Sequence, residues 1–418
     1  MANDINQFFV MESGRINYDM YIRTQYTSPW ITLPKKVAWP ERMGEVISNI
    51  MWERPYITGT PNDWAPMSVN EGGTTATNAR GGSCIPPVDL VEFSQTLRET
   101  RLYHKAIHSP RFCVTDMIYT EKREAQMMAV QDGLADQVRL EWIKWNRDGF
   151  AQNARKYIVG TGMEANYTDE SDGLTFPPVE PTSRLTNGVL DYFTNLLTVE
   201  QGHRHALSTQ NGRPVYGLIT DQNTSRFLIR GDDAIREDFR FGSAETLLKP
   251  LGVTHTYNSY VHMIDEAPPR FSFTAANVES GSDDPDTDPW EEIPHYVVEN
   301  VGTVEAPRYL KKVNPEWLAA SYQDSYIYVK EAYQLRVPNS ITSVAKAKFD
   351  PQNYMGDFTW QNVKNTDSAS NEYNPDGKLG RFRGILAAGV EPINPHVMFV
   401  LRHLVCPTDY GFVGCPEA

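Results

Sequence analysis

An α+β fold is what this sequence predicts, and three observations carry it. Residues 120–157 contain no proline, and Met127, Val130, Leu134, Val138, Trp142 and Trp145 recur there at steps of three or four. That is the apolar stripe of one long amphipathic helix. The remaining apolar runs are short and strand-like, and helices do not alternate with them as a wound parallel sheet requires. No internal repeat is present.

Each segment can be justified in order. Residues 1–60 are rich in aromatics, proline and arginine but show no sustained period. Pro29, Pro34, Pro40 and Pro55 punctuate them, each removing a backbone donor and blocking helix continuation. Such a segment either lies on a neighbour as an arm or packs as an edge on its own body, and residues 41–52 are the one short helix expected in it. Residues 61–87 hold Gly72-Gly73, Gly81-Gly82 and Pro86-Pro87 and read as a long exposed loop or hairpin tip. Residues 91–106 read as a single extended strand. The long helix follows, with Thr120 as its N-cap and Glu121 and Glu124 matched to its positive end. Gly133 and Gly149 weaken it, each by about 1 kcal/mol.

Residues 160–181 form a polar, proline-rich loop. A second helix lies within 185–205, its core face made by Leu190, Phe193, Leu196 and Leu197. Residues 215–219 are a short buried strand leading to Asp221, the N-cap of a helix around Phe227. A short charged helix is expected over 232–241, and two strands over 253–273. Residues 279–292 carry seven acids and no base, the mark of a solvated loop. Asn374-Pro375-Asp376-Gly377 is a turn, and the late run 397–406 is a buried strand.

The composition narrows the function. The 418 residues contain 39 Lys and Arg against 53 Asp and Glu, a net charge of −14. Gripping nucleic acid needs a basic face, which this balance does not supply. Nine Trp, 21 Tyr and 17 Phe accompany a mean hydropathy of only −0.48. Together these suggest a loop-rich chain whose aromatics finish their burial against neighbours. The four cysteines (Cys84, Cys113, Cys406 and Cys415) show no Cys-x-x-Cys spacing and read as reduced thiols. The first residues hold Asp4 and no basic stretch, so no secretory signal is expected. No apolar run is long enough to cross a membrane as a helix.

Catalytic and metal motifs are sought without success. There is no P-loop, no Gly-x-Gly-x-x-Gly and no Gly-x-Ser-x-Gly elbow. His104 and His108 are four apart, but Lys105 stands where a metalloprotease needs Glu. His203 and His205 read as a solvated helix end. Asp284, Asp286 and Asp288 copy the start of a calcium loop, but Pro289 and His295 occupy the positions that need Gly and Glu. Abundant acids and aromatics also fit glycoside hydrolysis, without any pair that spacing singles out. No cofactor, metal or catalytic residue is assigned.

The order of several segments resembles the major capsid proteins of tailed double-stranded DNA phages, with the Hong Kong phage-type fold. The resemblance is carried by Trp39-Pro40-Glu41-Arg42-Met43-Gly44 with Trp52-Glu53-Arg54-Pro55, and by residues 93–100 followed by Ala106-Ile107-His108-Ser109-Pro110. Residues 215–220 with 232–252, and Trp317, Ala320 and 322–327, add to it. So do Trp360-Gln361-Asn362, the run from Asn374 to Phe382, and Pro392 and Pro395 before 397–402.

The resemblance implies an N-terminal arm (1–60), an extended hairpin loop (61–108) and a peripheral domain (109–185) holding a spine helix at about 119–158. An axial domain would lie mainly in 186–345, with the acidic insertion 279–292, and strands of 346–418 would close the peripheral domain. It implies a non-enzymatic subunit that assembles with itself in pentamers and hexamers. The shell would enclose DNA without specific binding, with portal, scaffolding and decoration proteins as partners, in a virion built in the host cytoplasm. No charged helical prefix precedes the arm, so scaffolding is expected to be separate or lacking. Inter-subunit contacts are expected at Trp39, Arg54, Arg98, Arg101 and Arg270, because arginine forks onto carboxylates. No Lys–Asn cross-linking pair is identifiable. Deleting residues 1–55 is expected to leave folded subunits that fail to assemble. The alternatives are a bacterial nanocompartment shell of the same fold and, from another class, a carbohydrate-active enzyme or adhesin.

Overall fold

Where proline and β-branched residues interrupt the helical pattern, the chain goes into strands, and the result is mixed α+β. The computed structural model describes residues 28–40, 46–52, 95–109, 112–113, 123–160, 165–166, 176, 179–199, 206–210, 213–230, 253–257, 259–274, 289–303, 309–338, 351–362 and 379–405. In chain order the elements begin with a helical turn α1 (Pro29–Thr32), β1 (Lys35–Ala38), β2 (Val46–Trp52), β3 (Gln95–Arg101), β4 (Tyr103–His108) and β5 (Phe112–Cys113). The long helix α2 (Arg123–Asn153) leads to β6 (Arg155–Val159), β7 (Ala165–Asn166), α3 (Asn187–Val199), β8 (Ser208–Gln210), β9 (Arg213–Thr220) and α4 (Gln222–Arg230). Next come β10 (Val253–Tyr257), β11 (Tyr260–Ile264), β12 (Arg270–Phe273), β13 (Trp290–Ile293), β14 (Tyr296–Asn300), β15 (Tyr309–Val313) and α5 (Pro315–Ala319). The chain closes with β16 (Tyr322–Tyr328), β17 (Tyr333–Val337), β18 (Asp357–Asn362), β19 (Leu379–Pro392) and β20 (Phe399–Leu404).

The chain divides into two compact units, Pro40–Leu102 and the body made of Met1–Trp39 with Tyr103–Ala418. In the smaller unit β2 and β3 pair antiparallel, from Val46 opposite Arg101 to Trp52 opposite Gln95. This corrects the helix expected over residues 41–52. Val46, Ile47 and Ile50 are β-branched and stiff, and β3 supplies the cross-strand partner that the local pattern cannot reveal. Ile47 and Thr100, directly opposite one another, are buried, while Val46, Ser48 and Glu99 are exposed. The single strand expected over 91–106 is likewise two. Leu102 separates β3, in the smaller unit, from β4, which pairs with β19 in the body.

The body holds two large sheets. In the six-stranded one, β1 runs parallel to β17, and β17 runs antiparallel to the 14-residue β19, which also pairs with β18, β4 and β5. The ten-stranded sheet follows the order β10–β11–β9–β16–β20–β6–β7, with β8 on β9, β12 on β16 and β13 on β12. Strand β20 lies inside it, antiparallel to β16 and parallel to β6, and Phe399, Val400 and Leu401 are fully buried. That is why its first half, Phe399-Val400-Leu401, reads as continuously apolar. The region expected to hold two strands, 253–273, holds three, because Ser259 turns the chain at φ 69° between β10 and β11.

Helix α2 is 31 residues long, about 46 Å at 1.5 Å per residue. Its middle is one-sided: Gln131, Leu134, Ala135 and Val138 are buried, while Asp132, Gly133, Asp136 and Gln137 face solvent. Its last part is buried more widely, through Trp142, Ile143, Asn146, Arg147 and Phe150. Gly149 is a packing residue here, since a Cβ would sit 2.3 Å from Val390 Cγ2 of β19. On α3, Leu190, Phe193 and Leu197 are buried and Leu196 partly so. Asp221 caps α4 by accepting from the backbone N–H groups of Asn223 and Thr224.

The aromatics correct another expectation. Many close the body's own core: Trp30, Phe150, Phe193, Tyr216, Tyr260, Tyr326, Tyr328, Tyr333, Phe358 and Phe382 are all under 2% exposed. The low mean hydropathy is therefore not a sign that these rings wait for neighbours. No described helix is long and apolar enough to cross a membrane. The expected Thr120 cap, the 61–87 loop, the 232–241 helix, the Asn374–Gly377 turn and residues 279–288 of the acidic run lie outside the described residues. Glu291 and Glu292, at the end of that run, are exposed on β13.

Candidate functional site

The expected N-terminal arm contains a segment that belongs to the body. Ser28 accepts a hydrogen bond from the Trp30 N–H and starts α1, with Pro29 at its first position. The Trp30 indole then enters the core edge-on to Tyr326 and Phe150, at centroid distances of 4.9 and 5.7 Å. Trp30 Nε1 donates to Asp265 Oδ2 at 2.9 Å, and Asn146 Nδ2 of α2 donates to the Trp30 carbonyl at 2.6 Å. Burial raises the Asp265 carboxyl above its ordinary pKa, against the opposing pull of Arg147 and the indole bond.

Six residues on, Lys36 is a second anchor. Its Nζ donates to the Tyr354 carbonyl at 2.8 Å and lies 5.0 Å from the centroid of the Trp142 ring. Burial lowers its pKa from 10.5 to about 8. The folded state therefore releases this proton before the unfolded chain does, and the lysine's penalty is relieved as pH rises from about 8 toward 10.5. Lys36→Met should remove that alkaline rise in stability, an outcome read by urea unfolding at pH 7.5 and pH 10. An unchanged rise would show that Lys36 is not its source.

The five expected contact residues fall in different places. Trp39 is 7% exposed, and its N–H donates to the Val337 carbonyl at 2.7 Å, so the ring is held within its own chain. Arg270 has no exposed surface. Its Nη1 donates to the Trp317 carbonyl at 3.1 Å and its guanidinium lies 4.2 Å from the centroid of the Trp317 ring. An interior arginine cannot reach another subunit's carboxylate, which corrects the inter-subunit ion pair expected there. Arg101 is exposed on β3 and bridges Glu99, two residues away on the same face, at 3.4 Å. The Arg98 backbone stands opposite Asn49. Arg54 lies outside the described residues. Trp39 and Arg270 belong to the body, and Arg98 and Arg101 to the smaller unit.

A polar cluster around Arg402 has no counterpart among the sequence motifs. Arg402 of β20 stands opposite Asp324 of β16 and holds it with two bonds, at 2.8 and 3.0 Å. The guanidinium lies 3.5 Å from the Phe271 centroid, 3.6 Å from that of Phe176 and 4.5 Å from that of Trp290. These groups floor an open cleft of about 480 Å³ that Asp148, Lys156 and Glu292 also line. Its acids are engaged: Asp324 by Arg402, Asp148 and Glu292 by Arg147 at 3.5 and 3.6 Å. Next to it, Ser325 Oγ lies 2.8 Å from His403 Nε2 and 2.7 Å from Thr220 Oγ1. Ser325 and His403 have no exposed surface, and burial lowers the His403 pKa. A nucleophile needs access to its substrate, so this pair is a core hydrogen-bond chain. Among the described residues no three His, Cys, Asp or Glu side chains come together as metal ligands.

No family model and no curated protein matches the chain. The solved structures it is similar to are phage capsids. It aligns with the capsid asymmetric unit of cyanophage Pam1 at TM-score 0.44 and 10% identity, over 87% of this chain and 86% of that one. For the capsid of Ralstonia phage GP4 the values are 0.42 and 10%, over 87% and 84%. For the mature capsid of bacteriophage PhiM1 they are 0.42 and 9%, over 90% and 87%. At TM-scores below 0.5 this likeness says nothing of mechanism, which has to come from the chain's own residues.

Proposed function

We propose that the protein is a structural subunit that assembles into the icosahedral head of a tailed phage and encloses double-stranded DNA. The carrying observation is the separate compact unit Pro40–Leu102. That unit contains the antiparallel β2–β3 pair, and in sequence it precedes β4, which pairs with β19, and the 31-residue helix α2. A separate strand-paired unit is suited to contacting a neighbour, and a long helix to stiffening the body. The sequence resemblance likewise implies an extended loop ahead of a spine helix. A subunit charge of −14 suits a container wall, because a like-charged surface does not hold packed DNA. The portal, scaffolding and decoration partners, and assembly in the host cytoplasm, belong to the same reading.

The purified full chain should form megadalton polyhedra, or flat hexamers, in negative-stain images and in sedimentation. A stable 47.4 kDa monomer at tens of micromolar would overturn the proposal. The structure also changes the truncation that tests the arm. Deletion through residue 55 would remove Trp30 and Lys36 from the core, so the informative deletion stops before Ser28. Removing residues 1–27 keeps Trp30 and Lys36 in place and should reduce particle yield.

A further inference from the structure

Exposed apolar side chains are concentrated in one place. Of the thirteen large hydrophobic residues that the described chain exposes, seven fall within residues 296–318, and Val298 is 68% exposed. They centre on β14 and β15, which pair antiparallel from Tyr296 opposite Val313 to Asn300 opposite Tyr309. Neither strand pairs with a third strand among the described residues. A two-stranded ribbon is marginal in water by itself.

The base of this ribbon is firmly seated. The His295 ring lies 4.2 Å from that of Trp317, the Asn314 N–H donates to the His295 carbonyl, and Asn314 Nδ2 donates to that of Pro294. The side chains farther along are exposed on both faces, because alternation divides valines, lysines and leucine between them.

We propose that the β14–β15 hairpin is a docking arm whose occupant is a second copy of this chain. Charge selects that partner. Two copies at −14 repel one another. A contact between them is least opposed where the local charge is not negative and where buried apolar surface offsets the repulsion. Strand β15 carries Lys311 and Lys312 and no acid, while β14 carries only Glu299, which pairs with Lys312. DNA is a poor fit to the same ribbon: Lys312 is engaged by Glu299, Lys311 lies 4.0 Å from the Tyr296 ring centroid, and the remaining surface is apolar. The docked copy would cover the exposed side chains of Val298 and Leu310. The choice of a second copy rests on the shell reading; the exposure of the ribbon does not.

The test places the photo-cross-linking residue p-benzoylphenylalanine at Val298, and separately at Leu310, in the full chain. Irradiation should give an adduct of twice the subunit mass that contains peptides from two copies. V298D/L310D should weaken self-association at least about tenfold while the subunit's circular dichroism stays that of the wild type. If the chain self-associates but the adducts are absent, intramolecular or made to another kind of molecule, the docking proposal falls and the shell reading stands. If adducts form between copies but no particles appear, the shell reading falls and the docking arm stands.

Discussion

Arg402→Ala should destabilise the body by about 3–5 kcal/mol, measured by urea unfolding, because it breaks a buried ion pair from one side. Arg402 is 2% exposed and Asp324 3%, and the two are joined by a two-pronged contact. Truncation leaves the carboxylate buried without its partner and opens a gap between the rings of Phe176, Phe271 and Trp290. Arg402→Lys should recover little, since an ammonium has no fork to match both oxygens and no planar face for the rings. Replacing both partners by apolar residues of similar length, R402M/D324L, should lie much closer to the wild type. The desolvation penalty of the pair disappears together with its attraction. The cycle therefore separates two accounts of the cluster. If R402A costs under about 1 kcal/mol, Arg402 is a bystander. If R402M/D324L costs as much as R402A, the cage depends on charge, and packing alone cannot replace it.

What the residues disclosed follows from how local each signal is. The stripe from Val130 to Trp145 marks α2 because helix periodicity needs no distant partner. Asp221 is legible as a cap for the same reason, since its bonds reach only two and three residues along the chain. The helix expected over residues 41–52 failed because β2 is settled by β3, which begins more than forty residues later. Arg270 was expected at a contact on residue type alone. Its burial depends on the carbonyl and ring of Trp317, 47 residues away. The Arg402–Asp324 pair joins positions 78 apart and no spacing rule reaches it. Pro29 and Pro34 mark a break in local structure correctly, but proline does not say whether the broken segment leaves the body or is inserted into it. Both options were open for residues 28–39, and the burial of Trp30 selects the second.

Trp30 should therefore be among the costliest residues of the body to remove. Trp30→Ala is expected to cost about 3–5 kcal/mol, the range for emptying a large aromatic site in a packed core. The ring has no exposed surface and meets Tyr326 and Phe150 edge-on. The truncation also takes the indole donor from Asp265. Trp30→Phe isolates that second loss: it keeps most of the ring and leaves the carboxylate without its bond, at about 1–3 kcal/mol. The two variants should differ in their response to pH. Burial raises the Asp265 pKa, so the folded state holds this proton more tightly than the unfolded chain does. The contribution of this group is complete below the ordinary carboxylate range and is lost as pH rises through the raised folded value. The indole bond favours the charged form and opposes that rise. Without it the carboxyl titrates still higher, and more stability is lost by neutral pH. The Trp30→Phe deficit against wild type should thus be larger at pH 8 than at pH 5 in urea unfolding. A deficit constant with pH would mean that the ring's packing, and not its bond to Asp265, is what fixes the N-terminal segment to the body.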